Sequence, residues 1–140
     1  MSDRSFLDTN IFLYSHDRDD HEKQEIAQNL ILMEYGRDGC CISTQVLAEF
    51  FQNYAVKFGL ETTDALKELH LMCRCPVIEQ SISLIVRAVR IFTENGLSFW
   101  DSMIVAAALE GGAEILYSED MQHGLVIDTV RIMNPFVKSN

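Results

Sequence analysis

Residues 6–10 read Phe-Leu-Asp-Thr-Asn (FLDTN) and close the first apolar run of the chain. A short apolar run is the mark of a buried strand. Here it ends in three polar residues where the strand leaves its sheet. One polar residue at such a place is an ordinary turn or helix cap. What the chain does depends on whether its other carboxylates arrive at the same place.

On either side of FLDTN, strand and helix patterns alternate. Residues 4–8 read as a strand, and 20–36 as a helix with Ile26, Leu30 and Met33 at helical spacing and Gly36 or Gly39 to stop it. Residues 40–43, CCIS, form a second strand, and 44–59 a helix with Leu47, Phe50, Phe51, Tyr54 and Phe58 on one face. Thr62 or Thr63 caps a further helix to about Met72, and 76–78 is a third strand. Residues 81–95 are strongly amphipathic, with Ile82, Ile85, Val86, Val89 and Phe92 on the face expected to be buried. Ser98 caps a helix from Phe99 to Glu110 that Gly111-Gly112 closes, and 114–117 is a fourth strand. Of the short runs 125–127 and 130–133, one is expected to be a fifth strand, with the second run preferred. Continuous apolar strands separated by helices predict an α/β layered domain with a mostly parallel sheet. In such sheets ligands bind beyond the carboxyl ends of the strands, near the switch in strand order.

At 140 residues the chain suits a single domain, 1–140, with 48% hydrophobic and 23% charged residues, an ordinary globular composition. Its longest apolar run, residues 103–109, is far too short to span a bilayer. Asp3 and Arg4 precede a brief apolar segment without the layout of a signal peptide, so no membrane partner is expected and the compartment is read as cytoplasmic. Cys40, Cys41, Cys73 and Cys75 stand as C-C and C-x-C, awkward for a zinc corner, and are read as reduced, buried small hydrophobes. The net charge of −10 repels nucleic acid at long range unless carboxylates cluster around a divalent cation. It also suits a basic protein partner.

Four acids are candidates for such a cluster. Asp8 and Asp120 each follow a strand, and either one alone is an ordinary turn or cap. Glu49 lies a little over one turn inside the helix that leaves CCIS, where a solvent-facing glutamate is the competing reading. Asp101 completes a capping box with Ser98, yet it shares the face of Ile104, Val105 and Ala108. A buried-side carboxylate is costly unless it is paired or metal-bound. Oxygen-only donors suit Mg²⁺ or Mn²⁺, and His16, His21, His70 and His123 follow no metal-ligand spacing. Asn10 and Ser118 are placed to hydrogen-bond the ligand carboxylates, and Thr9 adds a hydroxyl at the same turn. A cation held there would activate water and clamp a phosphoryl oxygen, the chemistry of phosphodiester hydrolysis.

FLDTNIFLYS, ISTQVLAEFF and LSFWDSMIVAAALEGGAEILYSED together resemble the PIN-domain ribonucleases, and most closely the VapC-type toxins of toxin–antitoxin pairs. The likeness runs over essentially the whole chain, in order and spacing. It implies a three-layer α/β/α domain and an acidic pocket that binds Mg²⁺ or Mn²⁺ and cuts RNA. In that pattern Asp8, Glu49, Asp101 and Asp120 match the four acids, with Asp8, Asp101 and Asp120 as the main metal ligands. Asn10 and Ser118 match the polar positions beside the first and last acids. The resemblance also implies a homodimer and a cognate antitoxin whose C-terminal segment covers the acidic groove. Glu119 adjoins Asp120, and a slip of one residue in the last strand exchanges their roles.

Two other readings compete. A phosphatase of the haloacid-dehalogenase type also begins with an aspartate after the first strand, but it usually carries a second aspartate two residues on, where this chain has Asn10. A non-catalytic PIN-like scaffold binding RNA or protein usually lacks some of the acids, and all four are present. Lys57, Lys67, Arg87 and Arg90 are candidates for substrate contact or plain surface charges.

Overall fold

The computed structural model describes residues 4–59 and 61–138. Asp3 lies outside them. Strand β1 (Ser5–Leu7) is buried throughout, as a strand covered on both faces must be. Asp8 then caps helix α1 (Thr9–Tyr14), its carboxylate accepting from the Thr9 N–H. Six residues are too few to show a helical period, and the sequence reading assigned no helix here.

Helix α2 (His21–Arg37) is capped by Asp20 and passes through Gly36. Its stop is Asp38, at φ 58, and not either glycine. Aspartate tolerates the left-handed conformation, and the Asp38 N–H returns to the carbonyls of Glu34 and Tyr35.

Strand β2 (Cys40–Ser43) is fully buried and leads through the Ser43 cap into α3 (Thr44–Phe58). Val46, Phe50 and Tyr54 of α3 are buried, and Gly59 ends it at φ 59. Helix α4 (Thr62–Met72) begins after Glu61, which makes no side-chain cap, so neither threonine is the cap. Strand β3 (Val77–Ile78) and helices α5 (Ile82–Asn95) and α6 (Phe99–Glu110) follow, then β4 (Ile115–Tyr117).

Both C-terminal candidates are strands: β5 (Val126–Ile127) and β6 (Val130–Met133) form an antiparallel pair with Ile127 opposite Val130. Asp128, at φ 50, lets a two-residue loop join them, a hairpin signal weaker in sequence than Asn-Gly or Asp-Gly.

The sheet order is β3-β2-β1-β4-β6-β5, parallel apart from β5. Helices α1 to α4 pack on one another, while α5 packs on α6 and α6 lies against β2, β4 and β6. The result is the three-layer α/β/α arrangement. From β1 the chain passes to β2 on one side and later to β4 on the other. The switch in strand order therefore falls between β1 and β4.

Helix α6 is nearly enclosed, with every residue from Ser102 to Ala108 buried. Gly111 closes it against the sheet, where a Cβ would stand 2.8 Å from the Cys41 sulfur.

Two further expectations are corrected. On α5 the buried residues are Leu84, Ala88 and Ile91, whereas Ile82, Val86, Val89 and Phe92 are exposed. The cysteines are not all free thiols: Cys40 and Cys75 form a disulfide, their Cα atoms 5.2 Å apart. Parallel pairing of β2 with β3 brings the first residue of one beside the lead-in to the other. Cys41 is free and buried, and Cys73 is free and exposed. Among the described residues, no helix is long and apolar enough to cross a membrane.

Candidate active site

Leu7 of β1 pairs with Tyr117 of β4, so the residues after both strands emerge together. The Asp8 N–H donates to the Tyr117 carbonyl at 3.0 Å and locks this register. A recess of about 290 Å³ opens there, and its walls include Asp8, Glu49, Asp101, Glu119 and Asp120. Four separate elements deliver these acids: the end of β1, the body of α3, the first turn of α6 and the segment after β4.

Asp8 is the most enclosed, only 4% exposed. Its Oδ1 accepts from the Thr9 N–H and its Oδ2 from the Ser118 hydroxyl, each at 2.7 Å. Burial pushes the Asp8 carboxyl up to about 7. The two hydrogen bonds oppose that rise, and the charges of Asp120 and Glu49 add to it. Asp101 is also raised, first by burial and then by the charge of Asp120, against a hydrogen bond with Ser98. Its backbone N–H donates to the Ser98 hydroxyl oxygen, so the helix cap and the site share one residue.

The remaining acids are held from the side. The Thr9 hydroxyl donates to Glu49 Oε1 at 2.9 Å, which leaves Oε2 directed by one fixed oxygen. Asn10 Nδ2 donates to Asp120 Oδ2 at 3.0 Å, and the Asp120 N–H donates to the Ser118 hydroxyl oxygen at 3.2 Å. Ser118, fully buried, thus bridges Asp8 and the Asp120 backbone. Asn10 spans its neighbours too, since its Oδ1 accepts from the Glu119 N–H.

The adjacent acids at 119 and 120 are distinguished by their surroundings. Glu119 accepts from the Tyr14 hydroxyl at 2.6 Å and pairs with Lys23 at 2.5 Å. Its charge is neutralised, and Lys23 is pushed up chiefly by that bond. Among the described residues no basic side chain pairs with Asp8, Glu49, Asp101 or Asp120. Tyr14 and Lys23 escaped the sequence reading because they lie 105 and 96 positions from Glu119 and share no motif with it.

The basic candidates separate. Lys57 lines the recess and pairs with Asp17, and Arg90 is engaged by Glu94 and Asp128 away from it. His16 pairs with Glu68, and His123 Nδ1 accepts from the Asn134 N–H, so neither joins the acids.

Among the described residues, no three acidic, imidazole or thiolate groups are drawn into a ready metal cage. The donor set nonetheless fits a hard divalent cation: oxygen-only groups, uncompensated by bases, with two carboxyls disfavoured as anions by burial.

The same architecture occurs in solved toxin structures. A toxin–antitoxin complex from Klebsiella pneumoniae matches with a TM-score of 0.67 at 20% identity, over 94% of this chain and 98% of that one. VapC20 of Mycobacterium tuberculosis, a toxin that cleaves the sarcin–ricin loop, matches with a TM-score of 0.69 at 18% identity, over 83% and 89%. VapBC2 of Rickettsia felis, bound to a DNA fragment from its promoter, matches with a TM-score of 0.65 at 20% identity, over 93% and 97%. No curated protein sequence matches the chain. The sequence model of the PIN domain matches residues 5–124. That match starts at β1 and runs past the last of the four carboxylates, and on it the chain belongs to the PIN domain family.

Proposed function

We propose that this protein is a divalent-metal-dependent endoribonuclease, the toxin of a toxin–antitoxin pair. The observation that carries the proposal is Asp8. It is a buried carboxylate with no cationic partner among the described residues, held by Thr9 and Ser118 in a recess that three further acids, likewise unpaired with a base among those residues, share. Such a charge is expensive to maintain for structure alone.

In this reading Asp8, Asp101 and Asp120 would hold Mg²⁺ or Mn²⁺, directly or through water, and the bound ion would supply Lewis acidity and a nucleophile at neutral pH. The chain supplies position. Ser118 and Thr9 keep both Asp8 oxygens from rotating, and Asn10 fixes Asp120. Glu49 has one oxygen restrained by Thr9, so the other is left to orient the attacking water or accept its proton. Asn10, an amide donor toward Asp120, offers no acid for a phosphoaspartate mechanism.

The test is digestion of a cellular RNA pool with Mg²⁺ or Mn²⁺, with EDTA, and with Asp101→Ala protein. Discrete fragments are expected from the parent with metal alone. Equal cutting in EDTA or by Asp101→Ala would remove the metal mechanism.

Two protein partners follow. A recess lined by uncompensated carboxylates suits an antitoxin segment that presents arginine or lysine. The likeness to solved toxin–antitoxin complexes supports this. The exposed stripe of Ile82, Val86, Val89 and Phe92 on α5 suits a second copy of the chain, because an apolar helix face left in water is costly. Val89→Glu is expected to halve the mass measured by light scattering after gel filtration. An unchanged mass would place the homodimer contact elsewhere.

A further inference from the structure

Helix α3 carries Gln45, Glu49, Asn53 and Lys57 at intervals of four residues, so the four stand in one row. The adjacent row, Val46, Phe50 and Tyr54, is buried and turns the polar row outward. All four polar residues line the acidic recess. The row runs about 18 Å along the helix at 1.5 Å per residue.

At its Gln45 end the row passes into a second, open hollow of about 570 Å³, walled by Thr44, Gln45, Ala48, Glu49, Gln80 and Trp100. Gln45 and Glu49 line both recesses, so the two adjoin. Trp100 is 60% exposed and immediately precedes Asp101. Its carbonyl accepts from Gln45 Nε2 at 3.3 Å, and Phe99 meets its ring edge-on at 5.6 Å. The Gln45 bond fixes the Trp100 backbone beside the hollow, Phe99 flanks one edge of the indole, and most of the side chain faces water.

We propose that Trp100, with the amides of Gln45 and Gln80, is a nucleobase subsite for an unpaired RNA strand whose scissile phosphate lies at the acidic recess. The proposal rests on the ribonuclease reading and adds the substrate's form. Every base has a π-face that an indole can accept, and stacking requires that the base be free of a duplex. The two amides each carry a donor and an acceptor, the pattern that base edges present. The alternative occupant is a second copy of the chain, because Phe99 also meets Phe92 of the α5 face. The shared walls with the acidic recess favour the RNA strand.

Trp100 is the sole tryptophan, so its fluorescence reports on this subsite alone. The experiment titrates Asp8→Asn protein with a short single-stranded RNA, with the same sequence as a duplex, and with versions carrying one abasic ribose at successive positions. Strong quenching is expected from the single strand, little from the duplex, and a loss of quenching at one abasic position.

In cleavage assays, Trp100→Ala is expected to raise KM by about tenfold to a hundredfold with kcat nearly unchanged, and Trp100→Phe to recover most of the loss. Equal quenching by the duplex, or no quenching with KM unaltered in Trp100→Ala, overturns the subsite. So does a fall of the Trp100→Ala protein to half mass, which would assign the indole to the homodimer. If the parent cuts no RNA, the ribonuclease reading fails on its own. The fluorescence titration still decides whether an unpaired strand occupies Trp100.

Discussion

Asp8→Asn is expected to abolish RNA cleavage and, in EDTA, to make the protein more resistant to heat. The two effects have one origin. Asp8 is buried, and burial, with added repulsion from Asp120 and Glu49, lifts its carboxyl from 3.8 to about 7. The folded state therefore holds a proton that the unfolded chain has already lost between those values. The contribution of Asp8 to stability is fully present below about 3.8 and is lost as pH rises through about 7. At pH 8 the ionised group costs the metal-free protein on the order of a few kcal/mol.

Asparagine is neutral at every pH and keeps one oxygen acceptor for the bond from Thr9 or Ser118. The melting temperature in EDTA should rise by several degrees at pH 8, and the gain should vanish near pH 4. Cleavage should fall by about a thousandfold or more, since the variant lacks the charge at the centre of the recess. A lower melting temperature at pH 8 would show that Asp8 is not a costly anion. Cleavage at the parental rate would sink the mechanism.

Phe50→Ala is expected to give the largest loss of stability with the least change in chemistry. Phe50 is 0% exposed and stacks on Tyr54 with ring centroids 4.9 Å apart. Emptying such a site costs about 3–5 kcal/mol, a large share of the stability of a domain this size. The urea midpoint should fall sharply with little change in slope. Phe50 belongs to the buried row of α3, next to the row that carries Glu49, and is not part of the wall of the acidic recess. At low temperature, the folded fraction should therefore keep specific cleavage within a few fold of the parent. A midpoint shift worth less than about 1 kcal/mol would mean that α3 is anchored by other contacts.

Much of the architecture could be read in the sequence because its signals are local. The apolar run of CCIS, the serine cap at 98, and the glycines after α3 and α5 each act within one turn of chain. FLDTN belongs to this class: the strand, its end and the carboxylate just beyond it are neighbours in sequence. From the alternation of such elements a mostly parallel sheet follows, and with it an edge where strand-end acids can gather.

The α5 helix shows where local information stops. Ile82, Val86 and Val89 have helical spacing, and so do Leu84, Ala88 and Ile91. The more hydrophobic stripe faces water, and the stripe that contains the small Ala88 is buried. Ala88 permits the close approach to α6 that Val86 or Val89 would obstruct, a choice set by the partner helix. The same limit hid the Lys23–Glu119–Tyr14 cluster and the Cys40–Cys75 disulfide.

The sequence by itself determined the kinds of elements, most of their ends and the chemistry available at strand ends. Tertiary structure decided which acid is neutralised, which stripe is exposed and which cysteines meet. Those outcomes depend on distances between residues far apart in the chain, and the sheet order and helix packing set those distances.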